Sequence, residues 1–140
     1  MKLYKNIFKW LVIIFLVSSF CITTFACGEV LPETKQIAPI ELAQVINTNA
    51  VPIILDVRTT EEYSEGHIPG AINIEHRELP SRLHEIQSSA KKQIVVYCER
   101  GFRAKIAEDT LKQAGFTEIL HLQGDMSVWR QKGFKIERQS

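Results

Sequence analysis

Cysteine is scarce in this chain: 140 residues contain three, Cys21, Cys27 and Cys98. The first two fall in a stretch that reads as a leader and its junction, so no pair remains inside the fold for a structural disulfide. The four histidines, His67, His76, His84 and His121, show no ligand spacing and no second cysteine accompanies them, which argues against zinc. A basic stripe is also missing. Of 17 basic residues 14 lie beyond Cys27, where all 16 acidic residues lie, so 14 against 16 leaves a formal −2. A mildly acidic body of this kind offers no electrostatic footprint for nucleic acid. Repeats and low-complexity segments are absent, which leaves one domain, and 45% hydrophobic residues are enough to give it a core.

What is present begins with a tripartite N-terminus. Lys2, Lys5 and Lys9 make a basic start, Leu11 to Val17 is wholly apolar, and Ser18 to Ala26 turns smaller and more polar. That order predicts a secretory signal over residues 1–26, a tether over 27–36 and a folded domain over 37–140. Thr24-Phe25-Ala26-Cys27 resembles a bacterial lipobox, with Thr24 where an aliphatic residue is usual. Cys27 is therefore a candidate for lipid attachment and a membrane tether. Plain cleavage after Ala26 and an uncleaved anchor are the alternatives. The stretch from Trp10 to Cys27 is only just long enough to span a bilayer, and its second half is polar for that purpose. The expected location is outside the cytoplasmic membrane, in the periplasm or on the outer face.

Beyond the tether the pattern alternates. Helical spacing runs over Pro39 to Ile46, and Ile53-Ile54-Leu55-Asp56-Val57 reads as a buried strand. A short helix opens at Thr60, its expected cap, and stops at Gly66; a turn at Pro69-Gly70 leads to a short strand, Ala71 to Ile74. Leu79 to Ile86 reads as a helix. Ile94-Val95-Val96-Tyr97 is a second buried strand, and Ala104, Ala107, Leu111 and Ala114 form a narrow helical face of small residues ended by Gly115. Ile119 to Leu122 is a further strand, and Asp125 is read as the cap of a last helix through Trp129. Strands alternating with helices predict an α/β fold, a central parallel sheet with helices on both faces.

Cys98 closes the most apolar of these strands, where ligands of open α/β sheets bind. The loop Cys98-Glu99-Arg100-Gly101-Phe102-Arg103 then runs straight into a helix. A cysteine reacts as its thiolate, which a helix N-terminus and nearby arginines favour. The amides of Glu99, Arg100, Gly101, Phe102 and Arg103 can curl into an anion-binding nest. Gly101 permits the close turn. The side chains of Arg100 and Arg103 add charge, and Glu99 has to point away to avoid opposing it. The bland reading makes Cys98 an inert core residue and both arginines solvated surface.

Three stretches together resemble the rhodanese domain family. Asp56 through Ile74 is similar to its first signature, Cys98 through Arg103 to its six-residue active-site loop, and Leu122-Gln123-Gly124-Asp125 through Trp129 and Gly133 to its C-terminal element. The resemblance implies a sulfurtransferase that needs no cofactor and no metal. In it Cys98 takes the outer sulfur of a small anionic donor such as thiosulfate, holds it as a persulfide, and passes it to cyanide or a thiol. It also implies the loop amides as anion cradle and Arg100 and Arg103 as helpers. Asp56 and Arg58 read as structural, with Asp56 holding the turn that follows it and Arg58 paired to Glu61 or Glu62; contact with substrate is the alternative for Arg58. His67 reads as a turn residue. Three positions depart from the family pattern: Ala104 where serine is common, Asp125 for the second glycine of a Gly-Gly pair, and Lys135 for a proline.

Two other functions compete. Related phosphatases and arsenate reductases use a longer Cys-x5-Arg loop, whereas four residues separate Cys98 from Arg103. The second rival is a non-enzymatic sulfur carrier or redox-sensing module of the envelope, which keeps Cys98 and dispenses with turnover. The protein partner stays unidentified in either case.

Overall fold

The computed structural model describes residues 34–48 and 51–139. The leader, Cys27 and the lipid-attachment expectation lie outside them. Five strands, β1 (Lys35–Ile37), β2 (Ile53–Asp56), β3 (Ile72–Asn73), β4 (Ile94–Tyr97) and β5 (Ile119–Leu122), form one sheet in the order β1-β5-β4-β2-β3. Every pairing is parallel. Between them run α1 (Pro39–Val45), α2 (Thr60–Glu65), α3 (Leu79–Arg82) and α4 (Phe102–Gln113), with α5 (Asp125–Gln131) last.

Alternation along the strands builds two cores. Leu55, Ile94 and Val96 point to one face, where they meet Leu79, Ile86, Ala104, Ala107 and Leu111; Cys98 continues that face. Ile54, Val95 and Tyr97 point to the other, against Leu42, Ile68, Met126 and Trp129. A sheet buried on both sides needs the near-continuous apolar strands seen here. The alanines of α4 let its backbone lie close to the sheet, which sets the N-terminus of α4 directly after the end of β4.

Several expectations need correction. The pattern predicts a tether to residue 36, yet Lys35 and Gln36 already pair with Leu120 and His121 as an edge strand. Three residues at an edge carry too little pattern to be read. The cap of α2 is Thr59: its hydroxyl accepts from the Glu62 amide at 3.3 Å, and Glu62 returns the bond to the Thr59 amide at 3.1 Å. Only α3 of the Leu79–Ile86 stretch is α-helical; it tightens into 3₁₀ turns at Leu83–Glu85 and Gln87–Ser89. Asp125 is the first residue of α5, after the N-cap Gly124, and its carboxylate serves the neighbouring loop instead of its own helix.

Candidate active site

Cys98 follows β4 in the middle of the sheet and is 1% exposed. Burial by itself suits an inert core thiol. The hydrogen bonds around it do not. The Gly101 amide donates to Sγ at 3.0 Å, closing a three-residue loop over the sulfur. Gly101 makes this turn at φ +94°, where a side chain is strained, and a Cβ there would stand 3.2 Å from an Asp125 carboxylate oxygen. From Gly101 the chain enters α4 at once, with Lys105 N–H donating to the Gly101 carbonyl. The start of α5 grips the same loop: Met126 and Ser127 amides donate to the carbonyls of Cys98 and Glu99 at 3.0 and 3.2 Å.

The candidate side chains separate into groups. Arg103 is half-buried and binds Glu62 through two bonds of 2.5 and 2.7 Å, and its guanidinium also interacts with the Cys98 sulfur. The Arg103 bond, aided by the Thr59 amide, holds the Glu62 carboxyl down at about 2 against the upward push of its partial burial. Glu99 is neutralised: Arg130 donates to both of its oxygens at 2.7 and 2.8 Å, and Arg58 stands 3.5 Å away. Arg100 and Phe102 face solvent, Phe102 at 79% exposure.

Asp56 and Arg58 are both wholly buried at the end of β2. Asp56 accepts the Arg58 amide at 2.9 Å, the expected side-chain turn, and then the guanidinium through Nε at 3.0 Å and an Nη at 2.6 Å. The partner of Arg58 is thus Asp56, two residues back, and neither Glu61 nor Glu62. A second bond goes to the Gly66 carbonyl at 2.8 Å, and the guanidinium lies 5.7 Å above the Tyr97 ring. Burial is the largest single influence and opposes this charge, but the Asp56 bond together with the charges of Asp56, Tyr97 and Glu99 outweighs it and keeps the arginine more firmly protonated than in water. His67 stacks on Tyr63 with ring centroids 3.7 Å apart, and its backbone pairs with Glu137. It belongs to an isolated antiparallel bridge just ahead of the turn at Pro69-Gly70.

A family model described as rhodanese-like domain matches residues 38–132. The chain belongs to the rhodanese-like family. It is 32% identical over 84 residues to a sulfurtransferase of Allochromatium vinosum, a match covering 60% of this chain and 77% of that one. A putative sulfur carrier protein of Bacillus subtilis is 35% identical over 79 residues, covering 56% of this chain and only 42% of that longer protein. The crystal structure of a rhodanese-like domain protein from Staphylococcus aureus superposes with a TM-score of 0.67 at 27% identity, covering 76% of this chain and all of that one.

The rhodanese-like departures now have places. Ala104 is fully buried against the sheet. Lys135 offers its carbonyl to the Trp129 indole at 2.9 Å, a bond a proline would make equally well. Asp125 is the consequential one. It is 2% exposed, accepts the Cys98 amide at 2.7 Å, and lies 3.1 Å from Nε2 of His121. Nδ1 of His121 meets Glu108, which is also buried. Neither His121 nor Glu108 stands out as a site residue in the sequence. Glu108 did carry a signal: with Ala104, Ala107 and Leu111 it completes the inward stripe of α4, where a lone acid needs a partner.

Proposed function

We propose that this domain is a sulfurtransferase that works through a Cys98 persulfide. The observation that carries the reading is the sulfur itself, placed at the end of β4 and receiving the Gly101 amide across a loop of the family's length. Cys98 thiolate attacks the outer sulfur of thiosulfate. The new S–S bond forms as the old one breaks, and sulfite leaves with the electron pair. In the second half a thiolate or cyanide attacks the outer sulfur of the persulfide, and the Cys98 thiolate departs. Two easier displacements replace one direct transfer. Loop amides and Arg103 supply positive charge where the anion arrives, and losing one such preorganised donor typically costs about 10²–10³ in rate. Exposed Arg100 draws the anionic donor toward the loop.

The chain acts at the envelope, exported by its N-terminal signal and tethered through lipidated Cys27, and hands its sulfur to a partner there. Detergent partitioning of wild type against Cys27→Ser tests the tether; equal partitioning would sink it. For the activity, the protein is incubated with thiosulfate and weighed by intact mass, then given cyanide while thiocyanate is followed. Wild type takes up one sulfur and turns over repeatedly; Cys98→Ser does neither. No uptake by wild type, or equal thiocyanate from Cys98→Ser, removes the proposal. The likeness to a protein named as a putative sulfur carrier supports a second reading, a carrier without turnover. Uptake followed by a single transfer selects it.

A further inference from the structure

Behind the loop, on the side away from Arg103 and Glu62, four groups are joined in line: Glu108 of α4, His121 of β5, Asp125 at the start of α5, and the backbone N–H of Cys98. We infer that Asp125, braced by His121 and Glu108, is a positioning residue that fixes the backbone of the nucleophile. The inference rests on Cys98 being that nucleophile.

Three observations carry it. The first is conformation. Asp125 holds φ +56°, the only non-glycine residue with positive φ among those described, beside Gly124 at +75°. Glycine would be at ease there, so the backbone does not ask for an aspartate. The carboxylate has to be explained by its contacts. The second is the division of those contacts. One oxygen takes the Cys98 amide and the other takes His121, so the carboxylate is fixed at both ends and can hold the loop at one distance from β5. A Cβ on Gly101, whose amide reaches Sγ, would stand 3.2 Å from the same carboxylate and 3.7 Å from the imidazole.

The third is charge. A bare carboxylate behind Cys98 would oppose an anionic sulfur and an anionic donor. The bond to Asp125, then that to Glu108, raise His121 to about 10 against the effect of its burial, so a cation stands between the two acids at neutral pH. Lys105 adds a second positive group 3.8 Å from Glu108. Thr34 and Gln36 complete the surroundings, lining with Lys105, Glu108 and His121 a cavity of about 180 Å³ through which the imidazole can exchange protons. The nucleophile is thereby held by a carboxylate whose charge is compensated.

Three variants separate positioning from bulk stability. Asp125→Gly suits the backbone and deletes both contacts. Asp125→Asn keeps an oxygen for the Cys98 amide but offers a protonated His121 an amide that cannot accept as a carboxylate does. His121→Gln removes the titrating group. Hydrogen exchange at the Cys98 amide should accelerate about tenfold in Asp125→Gly, and sulfur loading from thiosulfate should slow by a similar factor, the loss of one hydrogen bond. In Asp125→Asn the exchange stays near wild type while loading falls. Wild-type loading should decline as pH rises through about 10, and His121→Gln should lack that decline. Unchanged Cys98 exchange in Asp125→Gly, or an alkaline decline that survives in His121→Gln, overturns the inference. A wild type that takes up no sulfur overturns the sulfurtransferase reading instead, and the exchange measurement then decides the positioning by itself.

Discussion

On one side of Cys98, at the end of β2, Asp56 and Arg58 form a wholly buried pair; on the other, at the end of β5, His121 stands between Asp125 and Glu108. Both clusters flank β4 and both keep a loop in place, yet they differ in kind. The first joins one acid to a cation that never releases its proton in the working range, and its partners lie two residues apart. The second sets one titratable cation between two acids, the three groups coming from three elements. The first therefore holds the same way at any ordinary pH, and the second changes with pH.

The largest effect should come from breaking the first cluster. Arg58→Met leaves the Asp56 carboxylate buried without its guanidinium, at a cost of about 3–5 kcal/mol, read from the urea midpoint. A change below 1 kcal/mol would mean that the pair is not buried in solution. His121→Gln should cost about 2 kcal/mol at neutral pH. Because the folded state raises the His121 pKa from 6.5 to about 10, its stabilisation is fully present below 6.5 and lost as pH climbs through 10. The Arg58→Met penalty should stay flat across that window while the His121→Gln penalty shrinks. Gly101→Ala, between the clusters, should cost about 1–2 kcal/mol and slow sulfur loading. The smallest effect is at the rim. Glu62→Gln should cost about 1 kcal/mol at neutral pH, since the pair with Arg103 is about a third exposed. The folded state lowers Glu62 from 4.5 to about 2, so its contribution is present above 4.5 and disappears as pH falls through 2. Acid titrations of the two proteins should converge there.

The same comparison shows which features can be read from a sequence. Asp56 and Arg58 belong to one turn, so the turn was legible, although the pattern points the guanidinium at the acids ahead of it when its partner lies behind. The start of α2 was legible but its cap was not: the reading puts it at Thr60, whereas of the two adjacent threonines only Thr59 stands three residues before Glu62. Buried strands such as Ile94–Tyr97 announce themselves by composition. The pairs Arg103–Glu62, Arg130–Glu99 and Asp125–Cys98 join residues 27 to 41 positions apart. They exist because the sheet order puts β5 and β2 on either side of β4, and no local pattern encodes that order. Asp125 was visible as a departure from a glycine, but what its carboxylate holds became apparent only with the neighbouring strand in place.

The near-contact between a Cβ at position 101 and the Asp125 carboxylate has a consequence for how such chains vary. Once an acid occupies position 125, position 101 is committed to glycine for two reasons instead of one. A glycine at 125 would remove the second. The two sites are then epistatic: an alanine at 101 should be tolerated better after Asp125→Gly than before it.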